Sequence, residues 1–67
     1  MTNNIGVNLR RFRKLKNYSQ QQLAEKAGIS RVAYRNIETG DSEPRPSNLN
    51  ALASALGVSV FDLTEQV

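Results

Sequence analysis

The chain has 67 residues and a net charge of +3, with nine Lys or Arg, six Asp or Glu, and neither cysteine nor histidine. A chain of this length forms one small domain that buries about 60% of its unfolded surface. Without cysteine and histidine, disulfides, ordinary zinc sites and Ser-His-Asp or Cys-His catalytic systems are excluded. Nothing else in the sequence supports a catalytic role, and we expect no metal, no cofactor and no enzymatic activity.

The first predicted helix covers about residues 4–17, with Asn3 or Asn4 as its candidate cap and Asn17 as its candidate stop. Apolar residues recur at helical spacing, which is typical of an amphipathic helix. Most of the basic residues on the opposite face are expected to be solvated. The apolar face consists of Ile5, Leu9, Phe12 and Leu15.

Two short helices follow, at about residues 20–27 and 30–39. Ser19 and Gln22 have the capping-box spacing at the start of the first of these helices. Gly28 lies where that helix must end and the chain must turn, often with a positive φ. The side chains predicted to hold the two helices against the domain are Leu23, Ala24, Ala27, Tyr34 and Ile37.

Residues 40–46 contain one Gly, one Ser and two Pro, and they are predicted to form a loop. Ser47 begins the fourth predicted helix, with Pro46 as a candidate first position. Ser59 and Asp62 have the spacing of a second capping box, which opens a short fifth helix. The apolar residues of these two helices are Leu49, Leu52, Ala53, Leu56, Val58, Val60 and Leu63.

The predicted class is all-α, because no alternating β pattern of useful length appears. Charge is uneven: residues 10–35 hold eight Lys or Arg and one acid, whereas residues 38–65 hold one Arg and five acids. A basic half suggests a polyanionic partner, and the alternative is a basic face that is simply solvated. No apolar run could span a membrane, and the N-terminus lacks the apolar stretch of a signal peptide. We therefore expect a cytoplasmic protein.

Residues 20–39 have the features of a helix-turn-helix, whose second helix lies in the major groove of DNA. Ala24 is small enough for the two helices to approach, and Gly28 supplies the turn. The outward face of the second helix carries groups that read base edges and phosphates, and it holds no acid. Its members are Ser30, Arg31, Val32, Arg35, Asn36 and Thr39. The alternative is a helical bundle that does not bind DNA.

The stretch LRRFRKLKNYSQQQLAEKAGISRVAYRNIETG, followed by PSNLNALASALGVSVFDL, resembles the Cro/phage-repressor (XRE-type) helix-turn-helix family. The similarity covers about residues 5–64. Its most specific parts include Leu-Ala-Glu-Lys-Ala-Gly, Ile-Glu-x-Gly and Ala-Leu-Gly-Val-Ser. The resemblance implies a compact five-helix, lambda-repressor-like domain over residues 1–67 and the function of a transcriptional regulator, usually a repressor.

The resemblance also implies contacts with double-stranded DNA. Arg31 suits guanine, Asn36 suits adenine, and Val32 suits a thymine methyl group, while the Gln20 amide suits a phosphate oxygen. The residues expected at base edges are Arg31, Val32, Arg35 and Asn36. Those expected at the DNA backbone are Arg10, Ser19, Gln20, Ser30, Thr39 and Arg45.

Several of these residues have a second interpretation. Ser30 would serve only as a helix cap, and Val32 would be partly packed. Arg35 would contact a phosphate instead of a base, and Arg45 would reach the minor groove. The acids that follow the third helix, Asp41 and Glu43, weaken the case for phosphate contacts from the loop.

Two positions have expectations of their own. Arg13 and Glu38 match a family pair that joins the first helix to the end of the recognition helix, and we expect a partly buried, bidentate ion pair there. Tyr34 stands where the family usually has Val or Ile, so we expect this side chain to be partly exposed.

A dimer on a palindromic operator is expected, because one recognition helix reads only a few base pairs. Its surface is expected at residues 58–67, and the protein is expected to be associated with the nucleoid when bound. The chain is either a whole small repressor or the N-terminal domain of a longer regulator. One alternative is the antitoxin of a toxin–antitoxin pair, which also binds its own promoter. Another is a protein-interaction module, whose recognition helix would lack basic and amide residues.

Overall fold

The computed structural model describes residues 4–65. This part of the chain forms five α-helices and no strand, which confirms the predicted all-α class. The helices are α1 (Asn4–Leu15), α2 (Gln20–Ala27), α3 (Arg31–Thr39), α4 (Pro46–Leu56) and α5 (Val60–Thr64). None of them is long and apolar enough to cross a membrane.

Local hydrogen bonds set the ends of α2 and the start of α5. The Ser19 hydroxyl accepts from the Gln22 backbone N–H at 3.0 Å, and the Gln22 side chain accepts from the Ser19 N–H at 2.8 Å. Ser59 and Asp62 form the same reciprocal pair. Gly28 has a φ of 75° and donates its N–H to the last turn of α2. Both capping boxes and the turn at Gly28 are therefore confirmed.

The first helix is shorter than predicted. It ends at Leu15, and Asn17 adopts a φ of 60°, a left-handed conformation that Asn tolerates better than most residues. Asn17 does stop the helix, but the last helical residue lies two positions before it. Of the two candidate caps, Asn4 is already helical, and Asn3 lies outside the described residues.

The fourth helix begins at Pro46, the candidate first position, and not at Ser47. Arg45 holds the cap position without a side-chain hydrogen bond to the helix. Proline suits this position because a backbone N–H in the first turn has no intrahelical partner.

Among residues 4–65, nine buried apolar side chains, drawn from all five helices, form the core. They are Leu9, Leu23, Ala24, Tyr34, Ile37, Leu52, Ala53, Leu56 and Leu63. Leu15 was predicted to extend the apolar face of α1, but it is 71% exposed. The buried part of this face ends at Phe12, because no other helix of residues 4–65 covers Leu15 in the last turn of α1.

Helix α1 packs against both α3 and α5, while α2 packs against α3 and α4. Gly6 permits the close approach of α1 to α3, since a Cβ atom there would lie 2.3 Å from the Glu38 carbonyl oxygen. Asn8 is fully buried, and its Nδ2 donates to the carbonyl oxygens of Leu63 at 2.9 Å and Glu65 at 2.7 Å. Gly6 thus allows α1 to pack on the end of α3, and Asn8 joins α1 to the end of α5.

Candidate nucleic-acid interface

Helix α3 buries Tyr34 and Ile37 in the core and presents the opposite side to solvent. Asn36 is partly exposed, and Val32 is 65% exposed, which does not favour a packed role for Val32. The Glu38 side chain turns inward and is only 6% exposed. The other residues of this outer face are all exposed: Ser30, Arg31, Arg35 and Thr39.

Two of the residues expected at the DNA backbone are helix caps. Ser30 accepts a hydrogen bond from the Ala33 N–H at 3.0 Å, and Ser19 caps α2 in the same way. A hydroxyl group that accepts one hydrogen bond can still donate another. Capping is therefore compatible with the predicted contacts of both residues.

Arg13 and Glu38 form an ion pair between α1 and the end of α3. The Arg13 Nε donates to Glu38 Oε1 at 2.9 Å, but the Arg13 Nη1 donates to the Tyr18 carbonyl oxygen at 2.9 Å. The prediction of a bidentate ion pair is therefore wrong, because the second nitrogen donates to the segment between α1 and α2 and not to Glu38. Burial lowers the pKa of the Arg13 guanidinium, but the hydrogen bond and charge of Glu38 outweigh burial and leave that pKa raised.

Tyr34 was expected to be partly exposed, and it is fully buried. Its hydroxyl donates to Glu38 Oε1 at 3.2 Å, so the polar end of the ring has a partner inside the domain. Burial, and then the negative charge of Glu38, raise the pKa of the Tyr34 hydroxyl well above its ordinary value.

This raised pKa predicts a loss of stability in alkali. Above about pH 10, an unfolded tyrosine releases its proton while the folded Tyr34 keeps its own. Ionisation therefore stabilises the unfolded state relative to the folded state. We expect wild type to exceed Tyr34→Phe in free energy of unfolding by a constant amount near neutral pH. Above about pH 10 this difference should shrink by about 1.4 kcal/mol for each pH unit. Urea unfolding of both proteins at several pH values measures it. An advantage that stays constant up to about pH 11 would contradict the prediction.

An open cleft of about 550 Å³ lies where α1, the start of α2 and the end of α3 meet. Its lining residues are Arg10, Arg13, Lys14, Gln20, Glu38 and Thr39. The cleft brings together three of the six residues expected at the DNA backbone, whereas Ser19, Ser30 and Arg45 do not line it. Lys14 was not among the expected contacts. Its position four residues after Arg10, on the same face of α1, is the signal that could have identified it.

Two polar side chains of the cleft already have partners in the protein. The Gln20 Nε2 donates to Glu38 Oε2, and the Thr39 hydroxyl contacts Asp41 Oδ2 at 3.1 Å and the Asn36 carbonyl oxygen at 3.3 Å. Within residues 4–65, Arg10 and Lys14 have no ion pair. No group of three or more His, Cys, Asp or Glu side chains in this range could hold a metal ion. The cleft thus offers positive charge and amide donors, which suit an anionic oxygen.

A family model described as helix-turn-helix (HTH_3) matches residues 9–63. The chain belongs to this helix-turn-helix family. Helices α2 and α3 are its helix-turn-helix, with Gly28 in the turn, so the predicted family and fold are confirmed.

Known proteins similar to this helix-turn-helix chain include a prophage-derived HTH-type transcriptional regulator, YonR, of Bacillus subtilis. YonR is 43% identical over 55 residues, which cover 82% of this chain and 51% of YonR. The N-terminal DNA-binding domain of SinR from B. subtilis has a TM-score of 0.90 at 33% identity and covers 97% of this chain and 96% of that one. The P22 c2 repressor in complex with a synthetic operator has a TM-score of 0.88 at 34% identity, covering 96% and 97%.

The chain spans about half, or less, of the length of the first curated relatives that it matches. These relatives are named as transcriptional regulators and repressors, which does not favour the antitoxin alternative.

Proposed function

We propose that this helix-turn-helix domain binds double-stranded DNA sequence-specifically, as part of a cytoplasmic transcriptional repressor that occupies a palindromic operator. The observation that carries the proposal is the exposed face of α3, where Arg31, Arg35 and Asn36 are accessible and Glu38 turns away. The P22 c2 repressor and SinR, which share this fold, have been solved in complex with DNA. Binding of this kind requires no chemical step by the protein.

Four side chains of α3 are proposed to contact bases. Arg31 and Arg35 have the donors for guanine O6 and N7, and Asn36 has the donor and acceptor that match adenine. Val32 offers exposed methyl groups to a thymine methyl. The proposed backbone contacts are Arg10, Ser19, Gln20, Ser30, Thr39 and Arg45, which position the helix and carry no sequence information themselves.

Selection of bound sequences from a random pool of duplex DNA tests the proposal. Asn36→Ala should weaken binding to the preferred sequence by about 1–3 kcal/mol and relax the preference at one base pair, because a base contact is lost. Gln20→Ala should weaken binding to preferred and unrelated duplexes alike, because a phosphate contact reads no sequence. Circular dichroism verifies that both variants fold. The placement of α3 in the groove would be refuted if Asn36→Ala kept the preferred sequence and Gln20→Ala changed it.

We also propose that the domain forms a homodimer through residues 58–67, of which 66 and 67 lie outside the described residues. Phe61 on α5 supports this surface, because its aromatic side chain is 83% exposed. A buried phenylalanine contributes about 1.5–3 kcal/mol relative to an exposed one. A two-fold interface would bury the side chain of each copy. If the chain is part of a longer regulator, its further domains would enlarge this interface between the two copies.

Phe61→Ser should therefore weaken self-association at least tenfold, as measured by sedimentation equilibrium over a concentration series. Leu15→Ser is the matched control, because Leu15 is 71% exposed but lies on α1, outside the proposed surface. Equal weakening by both variants, or none by either, would place the dimer surface elsewhere.

A further inference from the structure

The carboxylate of Glu38 is held by donors from three helices. Arg13 and Tyr34 donate to Oε1, at 2.9 and 3.2 Å, and Gln20 donates to Oε2. The Glu38 side chain is 6% exposed, although it lines the cleft. Arg13 and Tyr34 therefore fix the position of the Glu38 carboxylate from inside the domain. Its second oxygen accepts from Gln20, which lies on the surface proposed to bind DNA.

A carboxylate accepts hydrogen bonds and donates none, so it distinguishes the two ends of an amide. Glu38 selects the Gln20 rotamer in which Nε2, and not the amide oxygen, lies against Oε2. A primary amide nitrogen carries two hydrogens, and only one is needed for this bond. The second N–H remains for an acceptor in the cleft.

The charges around the cleft agree with an anionic acceptor. Arg13 compensates the charge of Glu38 from within the domain. Gln20 donates a hydrogen bond to the Glu38 oxygen that would otherwise repel an anion. Arg10 and Lys14 line the same cleft and have no ion pair among residues 4–65. The unbalanced charge of the cleft is thus positive.

We propose that Glu38 is a positioning residue for DNA: it orients the Gln20 amide toward one backbone phosphate in the cleft beside Arg10 and Lys14. This inference rests on the proposed function. Orientation by Glu38 orders the Gln20 side chain before DNA arrives, so that less side-chain entropy is lost on binding. Glu38 then contributes to affinity without touching the nucleic acid.

The experiment uses the duplex recovered from the pool selection, prepared as a series in which single phosphates are replaced by neutral methylphosphonates. In wild type, one replacement per half-site should weaken binding about tenfold, the effect of one lost hydrogen bond to a charged group. In Gln20→Ala the same replacement should weaken binding less than in wild type, because only the charges of Arg10 and Lys14 then still favour that phosphate, and this reduction assigns the phosphate to Gln20. Glu38→Gln should show the same loss of sensitivity at this phosphate and unchanged sensitivity elsewhere.

Two controls separate positioning from general weakening. Tyr34→Phe removes a donor to Glu38 without touching Gln20, so it should lower stability and keep the phosphate sensitivity. Gln21→Ala alters the neighbouring glutamine, which is exposed and donates to Glu25, and it should change neither property. All variants are compared at a temperature at which circular dichroism shows them to be folded.

Nuclear magnetic resonance of the Gln20 side-chain amide tests the orientation directly, in wild type and in one further variant. In the free protein, the Gln20 amide proton that Glu38 accepts should be shifted away from its free-glutamine value, and on addition of the duplex the other amide proton should shift while this one keeps its position. Glu38→Asp, which withdraws the carboxylate by one methylene, should return the first proton toward its free-glutamine value. Glutamine amide signals that already have free values in wild type would overturn the proposal.

The binding results separate the two hypotheses. Absence of any duplex binding by wild type would refute the proposed function and this inference with it. Specific binding with full phosphate sensitivity retained in Glu38→Gln would overturn this inference alone.

Discussion

Arg13→Ala is expected to lower the free energy of unfolding by about 3 kcal/mol, because it leaves the Glu38 carboxylate nearly buried without a charged partner. The side chains of Arg13 and Glu38 are 13% and 6% exposed, so water screens the pair only weakly. The substitution also removes the donor to the Tyr18 carbonyl oxygen. A loss of this size is a large part of the stability of a small domain.

A double-mutant cycle with Glu38→Ala measures the coupling by urea unfolding. Residues in contact are expected to show an interaction free energy of about 0.5–3 kcal/mol, so the double variant should be more stable than the sum of the single losses predicts. Lys16→Ala is the control for loss of a cation near the same end of the domain, and as an exposed position it should change stability by less than about 0.5 kcal/mol. Additive losses at Arg13 and Glu38 would mean that the ion pair contributes no coupling.

Gly6→Ala is expected to destabilise the domain by about 2 kcal/mol, although alanine is the better helix former by about 1 kcal/mol. The new Cβ atom would lie 2.3 Å from the Glu38 carbonyl oxygen and 3.0 Å from that of Ile37. Both obstacles are backbone atoms and cannot rotate away. Helix α3 must therefore move away from α1, and its outer face moves with it.

Gly57→Ala provides a contrasting control. Gly57 has a φ of 71°, but a Cβ atom there would meet nothing within 4 Å, so this variant should lose about 1–2 kcal/mol from backbone strain alone. Its affinity for the selected duplex, measured below its unfolding temperature, should equal that of wild type. Gly6→Ala should bind the same duplex more weakly. Equal affinity of the two variants would show that the separation of α1 and α3 does not control the position of α3.

The sequence was sufficient for features that depend on neighbouring residues. Ser19 with Gln22, and Ser59 with Asp62, are capping partners three positions apart, and their hydrogen bonds require only the local backbone. The spacing of Leu9, Leu23, Tyr34 and Leu52 on their helices identified the core in the same way. The all-α class and the five helices follow from these short-range rules.

Features that depend on a distant part of the chain were missed or misjudged. The apolar period predicts the direction in which Leu15 points, but it does not reveal that no other helix of the described residues covers it. Tyr34 and Glu38 are four positions apart on one helix, so their hydrogen bond could have been anticipated. The hydrogen bond from Gln20 to Glu38, and the lack of room for a Cβ atom on Gly6 beside the Glu38 carbonyl oxygen, depend on how three helices meet. Composition and period carry no such information.

In the proposed dimer, α1 acquires a further role as a spacer. It packs against α3 through Gly6 and is tied to the end of α5 through Asn8. The distance between the two α3 helices is then set by the interface between the copies together with the two α1 helices that connect this interface to α3. That separation must match the distance of about 34–36 Å between successive major grooves on one side of a duplex. The number of base pairs between operator half-sites is thus determined in part by a helix that contacts no base.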